Sequence, residues 1–215
     1  MNVHAIAVNR ILVNTYLLVS DNGEAVLIDP GCDSDREAGM LLRLIASSAS
    51  RLNCVLLTHA HVDHVAGCDV VKAHYPEAPI CAHRDAAADY RRANAYGACM
   101  GFGEKVYPPI DRFLEEGELI SFGSDRLRVM ATPGHAQGSV CYFHAETPAL
   151  FSGDTLFCQS VGRCDLPGGD SRLLTQSLRK IAQLPEQTRI YPGHGETTDL
   201  YFELHNNPYL YAIHD

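Results

Sequence analysis

The chain is predicted to be an α+β protein built as two halves, each a sheet with helices on one side. Three observations predict this. Short strand-like runs give way to helical periodicity twice along the chain. Polar clusters fall at strand ends. Neither an internal repeat nor a low-complexity linker divides the 215 residues. Strand runs followed by helices suit layered packing of sheet against helix.

The elements follow in order. VHAIAV, TYLLVS and EAVLID (Glu24 to Asp29) read as strands. Asp35 to Ser47 carries Ala38, Leu41, Leu42 and Ile45 at helical spacing. NCVLL is a strand ending at Thr58. Val65, Cys68, Val70 and Val71 predict a helix that begins at the polar cluster after it. PICAH is a further strand. Residues 84–117 are irregular, with scattered aromatics, glycines around Phe102 and the pair Pro108-Pro109; they predict a short helix and then a loop. Strands return at ELISF, LRVMA, SVCYF and ALFSG. Asp170 or Ser171 caps a helix with Leu174, Leu178 and Ile181 on one face. TRIYP is the last strand, and a terminal helix runs through Leu200 and Leu204.

Composition narrows the function classes. Apolar content of 46% and charged content of 20% are ordinary for a soluble globular protein, and the length suits one domain over residues 1–215. The net charge of −9 counts against a partner with a phosphate backbone, so no nucleic acid is expected. No apolar run is long enough to span a membrane, and the N-terminus lacks the basic start of a signal peptide. The eight cysteines are irregularly spaced without a C-x-x-C pair. They read as reduced, mostly packed thiols of a cytoplasmic protein. Oligomeric state is not legible.

The chemistry gathers in T-H-A-H-V-D-H, residues 58–64. If the chain stays extended past Thr58, His59 and His61 point the same way and can face one metal ion. Asp63 and His64 follow where the chain turns towards a helix, so they can face a neighbouring position. Imidazole and carboxylate are ordinary metal ligands. Three further candidates sit at strand ends beside glycines: His135 in T-P-G-H, Asp154 in S-G-D and His194 in P-G-H-G. Singly, each would pass for a loop residue or a cap. Together the seven are enough for two adjacent ions. Asp29, in LIDPG, reads either as a carboxylate that fixes ligand histidines or as a strand-end turn residue.

This order of motifs resembles the metallo-β-lactamase superfamily over nearly the whole chain. The resemblance implies a four-layer αβ/βα sandwich, with two mixed sheets face to face and helices outside. It implies that His59, His61 and His135 hold one divalent ion, that Asp63, His64 and His194 hold a second, and that Asp154 bridges them. Zinc is the first choice of metal, with iron and manganese as alternatives. The implied chemistry is hydrolysis by a hydroxide held between the ions, with Asp63 also orienting or relaying the proton.

G-R-C-D-L-P-G-G-D (162–170) and E-L-H-N-N-P-Y-L (203–210) resemble the short glyoxalase II (hydroxyacylglutathione hydrolase) branch. That implies a small-molecule 2-hydroxyacyl thioester of the S-lactoylglutathione type as substrate. The long glyoxalase II enzymes carry a C-terminal helical domain; here about 20 residues follow His194. Cys164 stands where that branch usually has a hydroxyl residue, and a packed thiol is expected there. Arg163 either pairs with a substrate carboxylate or with Asp165. Tyr96 and Phe102 are expected substrate contacts under a loop that roofs the cleft, with simple packing as the rival reading. Persulfide dioxygenases, which by resemblance hold one iron through residues matching His59, His135 and Asp154, are the alternative function; lactonases are another. A non-catalytic metal module would have lost ligands, and all seven are present.

Overall fold

The computed structural model describes residues 1–211; the last four residues of the expected domain lie outside it. The chain opens with β1 (Asn2–Val8), β2 (Val13–Val19) and β3 (Glu24–Ile28), paired antiparallel in that order. Helix α1 (Asp35–Ser48) starts on a capping box between Ser34 and Glu37, which satisfies backbone donors at both positions. Then β4 (Arg51–Leu56) lies parallel to β3. The helix predicted after the polar cluster is two: α2 (Val62–Val65) and α3 (Cys68–His74), broken at Gly67. A Cβ on Gly67 would stand 2.3 Å from Cys32 Sγ, so this close approach requires glycine.

Next, β5 (Ile80–His83) is parallel to β4. The region 84–117 departs from expectation. A 3-10 turn leads into α4 (Ala87–Met100), a helix of 14 residues, and β6 (Arg112–Leu114) pairs with β5. Only Tyr90, Ala93 and Gly97 are the buried uncharged positions of α4, too few and too small to give an apolar period. Its alanines stabilise the helix by propensity instead. The strand β6 is three residues long with Phe113 exposed, so it has no alternation to read.

The second half holds β7 (Leu119–Phe122), β8 (Asp125–Ala131), β9 (Val140–His144) and β10 (Ala149–Gly153), then the small pair β11 (Leu156–Phe157) and β12 (Ser160–Val161). Helix α5 (Ser171–Ile181) begins at Asp170, whose carboxylate accepts from the amides of Arg172 and Leu173. The chain ends with β13 (Arg189–Pro192), β14 (Thr198–Asp199), α6 (Leu200–Asn206) and α7 (Pro208–Tyr211).

The strands form two six-stranded sheets, ordered β1-β2-β3-β4-β5-β6 and β14-β13-β10-β9-β8-β7. Alternation along each strand sorts the core into layers. Tyr16, Leu18, Val26, Ile28 and Leu56 meet Phe122, Leu127, Val129, Tyr142 and Phe151 between the sheets. Their neighbours Leu17, Val19, Ala25 and Leu27 face outward onto Leu41, Ile45 and Val71 of α1 and α3. On the far side Met130, Cys141, Phe143 and Leu150 pack on Leu174, Leu178 and Leu200. The result is the four-layer sandwich that the resemblance implied. All eight cysteines are free, five of them buried. Cys164 packs against the α5 core, as expected of a thiol in that place. Among the described residues no helix is long and apolar enough to cross a membrane.

Candidate metal centre

Strand direction brings the polar clusters together. Strand β9 is antiparallel to both β8 and β10, and β10 is parallel to β13. Hence β8, β10 and β13 all end on one edge, and His135, Asp154 and His194 follow those ends. Strand β4 of the other sheet ends at the same edge. There Val140 N donates to Thr58 O (2.7 Å) and Tyr142 Oη to Leu57 O (2.7 Å), tying the two sheets beside the cluster.

All seven predicted residues converge. Donor atoms of His59, His61 and His135 lie within 4.8 Å of one another, as do those of Asp63, His64 and His194, and those of His59, His64 and Asp154. His135 Nε2 is 2.9 Å from His61 Nδ1. Asp154 Oδ2 is 3.6 Å from both His135 Nε2 and His194 Nε2, and its Oδ1 is 3.3 Å from His64 Nε2. Asp154 therefore reaches both groups.

The remaining ring nitrogens are held from behind. His64 Nδ1 faces Asp29 Oδ2 at 2.8 Å, His135 Nδ1 faces the Arg163 carbonyl at 2.8 Å, and His194 Nδ1 faces the Ile11 carbonyl at 3.2 Å. His59 Nδ1 lies 3.1 Å from Thr58 Oγ1, which donates onward to Asp29 Oδ2 at 2.6 Å. A proton on each Nδ1 leaves Nε2 with its lone pair facing the centre. Asp29 serves two histidines at once and also accepts the Thr58 amide, which decides its role in favour of the orienting carboxylate. Its left-handed backbone (φ 49°) is one that aspartate tolerates better than most residues.

The donor set fits divalent cations. His59 Nε2, His64 Nε2 and Asp154 Oδ1 are buried without a hydrogen-bond partner, a costly arrangement unless something charged sits among them. Burial, with the charges of His64 and His61, pushes His59 well below the usual imidazole range, and burial with His135 brings His61 down to about 4. Both are neutral at pH 7, as ligands must be. Burial alone would raise the Asp154 carboxyl, but His64, His194 and His135 more than reverse it and hold it ionised. His64 goes the other way from His59: Asp154, Asp63 and Asp29 outweigh its burial and raise it.

Beside the centre lies a cavity of about 220 Å³, lined by His61, Asp63, Tyr96, Met100, Leu166 and Pro167 among others. Tyr96 thus borders the site as expected. Phe102 does not. It is buried with Val62 and Ala66, which favours the packing reading: it packs beneath the end of α4 and does not line the cavity. Arg163 makes two 2.7 Å hydrogen bonds to Asp165 and points to solvent, so a substrate role for its side chain is not supported. Its backbone carbonyl is the part that touches the centre.

Sequence reasoning missed Thr58, Asn9 and Gly193. Asn9 Nδ2 donates to the carbonyls of Asp63 (2.9 Å) and Gly31 (2.8 Å), fixing the turn that carries Asp63. A Cβ on Gly193 would stand 2.3 Å from Asp154 Oδ1. The glycine before His194 was a signal; nothing local marks Asn9.

Two stacked sheets with histidines and carboxylates gathered on a shared edge are the architecture of a metallo-hydrolase. The family model of the metallo-beta-lactamase superfamily matches residues 8–194, and the chain belongs to that superfamily. It is 34% identical to a probable metallo-hydrolase, YqgX of Bacillus subtilis, over 94% of each chain. It is 30% identical to the hydroxyacylglutathione hydrolase GloC of Haemophilus influenzae over 98% of each. Among solved structures, the BLEG-1 B3 metallo-beta-lactamase superposes with a TM-score of 0.88 at 36% identity, covering 97% of this chain and 99% of that one. A di-iron-bound form of TTHA1623 gives 0.84 at 36% identity, covering 96% and 100%.

Proposed function

We propose that the protein is a binuclear metal-dependent hydrolase of 2-hydroxyacyl thioesters of the S-lactoylglutathione type. The observation that carries this is the two complete three-residue groups, His59/His61/His135 and Asp63/His64/His194, with Asp154 in reach of both. Each group would hold one divalent ion, zinc first, iron or manganese otherwise. Such ions supply Lewis acidity towards a thioester carbonyl and bring the pKa of water towards neutrality. The chain does the rest. Asp29, Thr58 and the Arg163 carbonyl keep the rings aimed. Asp63 borders both the centre and the cavity, so beyond holding an ion its carboxylate would be placed to orient or relay a proton towards the departing thiolate. Likeness to a hydroxyacylglutathione hydrolase along the whole chain supports the substrate class. The substrate is a small molecule; net charge −9 speaks against nucleic acid. Eight free thiols suit a cytoplasmic setting.

The test is metal analysis followed by thiol release from S-lactoylglutathione. About two ions per chain with turnover is the expected result. Full occupancy with no turnover of any thioester would sink the reading. One iron per chain with oxygen uptake on a persulfide would put a dioxygenase in its place.

A further inference from the structure

The β1–β2 connection, residues 9–12, is short and strained. Asn9 (φ 57°) and Leu12 (φ 59°) both hold left-handed backbone, which non-glycine residues keep only where surroundings impose it. At Asn9 the surroundings are the turn that carries Asp63. Asn9 holds the Asp63 carbonyl, Ile11 N donates to Asn9 Oδ1 (2.9 Å), and the Ile11 carbonyl faces His194 Nδ1. Both ends of the second ligand group are thus fastened to this connection, and Arg10 stands between the fastenings.

Arg10 reaches outward over the end of α4, the helix whose Tyr96, Cys99 and Met100 line the cavity. Its guanidinium lies over the Phe102 ring, 5.9 Å from the centroid. A Cβ on Gly101 would stand 2.3 Å from its Nη1, so it crosses directly over the residue after Met100, which lines the cavity. Among the described residues no carboxylate pairs with it. The cavity itself has walls of Val62, Tyr96, Cys99, Met100, Leu166 and Pro167 beside His61 and Asp63, and no cation. Arg163, the cation expected from sequence, is already satisfied by Asp165.

A glutathione conjugate carries two carboxylates, and a protein of net charge −9 repels them unless a cation is placed to receive one. A guanidinium held by an aromatic face is pre-aligned for bidentate contact with a carboxylate. We infer that Arg10 is a specificity-determining residue that receives a carboxylate of the substrate's thiol portion, while the cavity takes an uncharged apolar group next to the scissile bond. This rests on the thioesterase reading.

The test is a binding measurement, so it does not need turnover. S-hexylglutathione and its diester, in which both carboxylates are capped, are titrated calorimetrically into the metal-loaded protein and its Arg10→Ala, Arg92→Ala and Arg163→Ala variants. Wild type is expected to bind the free acid about tenfold more tightly than the diester, the scale of one charge-assisted contact. Arg10→Ala should abolish that preference while diester binding stays unchanged, and the other two variants should keep it. No preference in wild type, or its loss in Arg92→Ala or Arg163→Ala instead, overturns the assignment. If thioesters are not hydrolysed yet the preference follows Arg10, the thioesterase reading falls and the anion contact stands.

Discussion

Asp29 gathers more of the centre than any other residue that is not itself a candidate ligand. Asp29→Ala leaves the Thr58 hydroxyl and His64 Nδ1 without their acceptor. Metal affinity should fall about 10- to 100-fold, the usual cost of losing a partner behind a ligand; competition with a chelator measures it. Gly193→Ala tests crowding from the opposite side. Its methyl would displace the Asp154 carboxylate or the His64 ring, 2.8 Å from the new carbon. Metal content should drop while circular dichroism stays native; full loading would refute the crowding. The ligands were legible in sequence because histidine and aspartate beside glycine at strand ends are rare by accident. Asn9 and Thr58 were not, because their roles depend on carbonyls and carboxylates 54 and 29 residues away.

At the scale of elements, strands with clear alternation or continuous apolar runs were readable, and α4 and β6 were not. Alanine-rich helices carry propensity without periodicity, and a three-residue strand carries neither. Phe102 shows the same limit. An aromatic between two glycines reads equally as a cleft contact or as packing, and only the place of α4 over α2 decides. Phe102→Ala should therefore destabilise the fold by about 3 kcal/mol, seen in chemical denaturation. Phe102→Leu should keep metal content and kcat at wild-type levels, since a conservative apolar swap costs less than about 1.5 kcal/mol and its effect falls on packing. A large fall in kcat in a stable, metal-loaded Phe102→Leu protein would count against the packing role.

Each ligand group of the whole molecule draws on both sheets, so cations here would join the sandwich at its edge. Loading should raise Tm in a metal-dependent way, by about 2.7 kcal/mol of stability at a hundredfold excess over Kd. The two groups should also part company in acid. Proton and cation compete for the same Nε2. Burial holds His59 and His61 below the usual imidazole range, so protons compete weakly for those two rings of the first group. In the second, burial lowers the histidines, but Asp63 and Asp154 outweigh it and raise both His64 and His194. Protons therefore win there first as pH falls. Metal per chain should step from about two to about one before reaching zero; loss of both ions in a single step would contradict the assignment.

The fastening of the first hairpin to the last strand has a temporal consequence. Asn14 N donates to the Gly193 carbonyl at 2.7 Å and Tyr16 Oη to Pro192 O at 2.7 Å, linking residues 179 and 176 positions apart. Contacts of that span form late, after loop-closure entropy has been overcome. A ribosome-bound chain that stops short of β13 has six of the seven donors, but neither His194 nor the partner that holds the Asn9–Leu12 turn in place. Synthesis must therefore pass residue 194 before the second group is complete and a pair of cations can be captured.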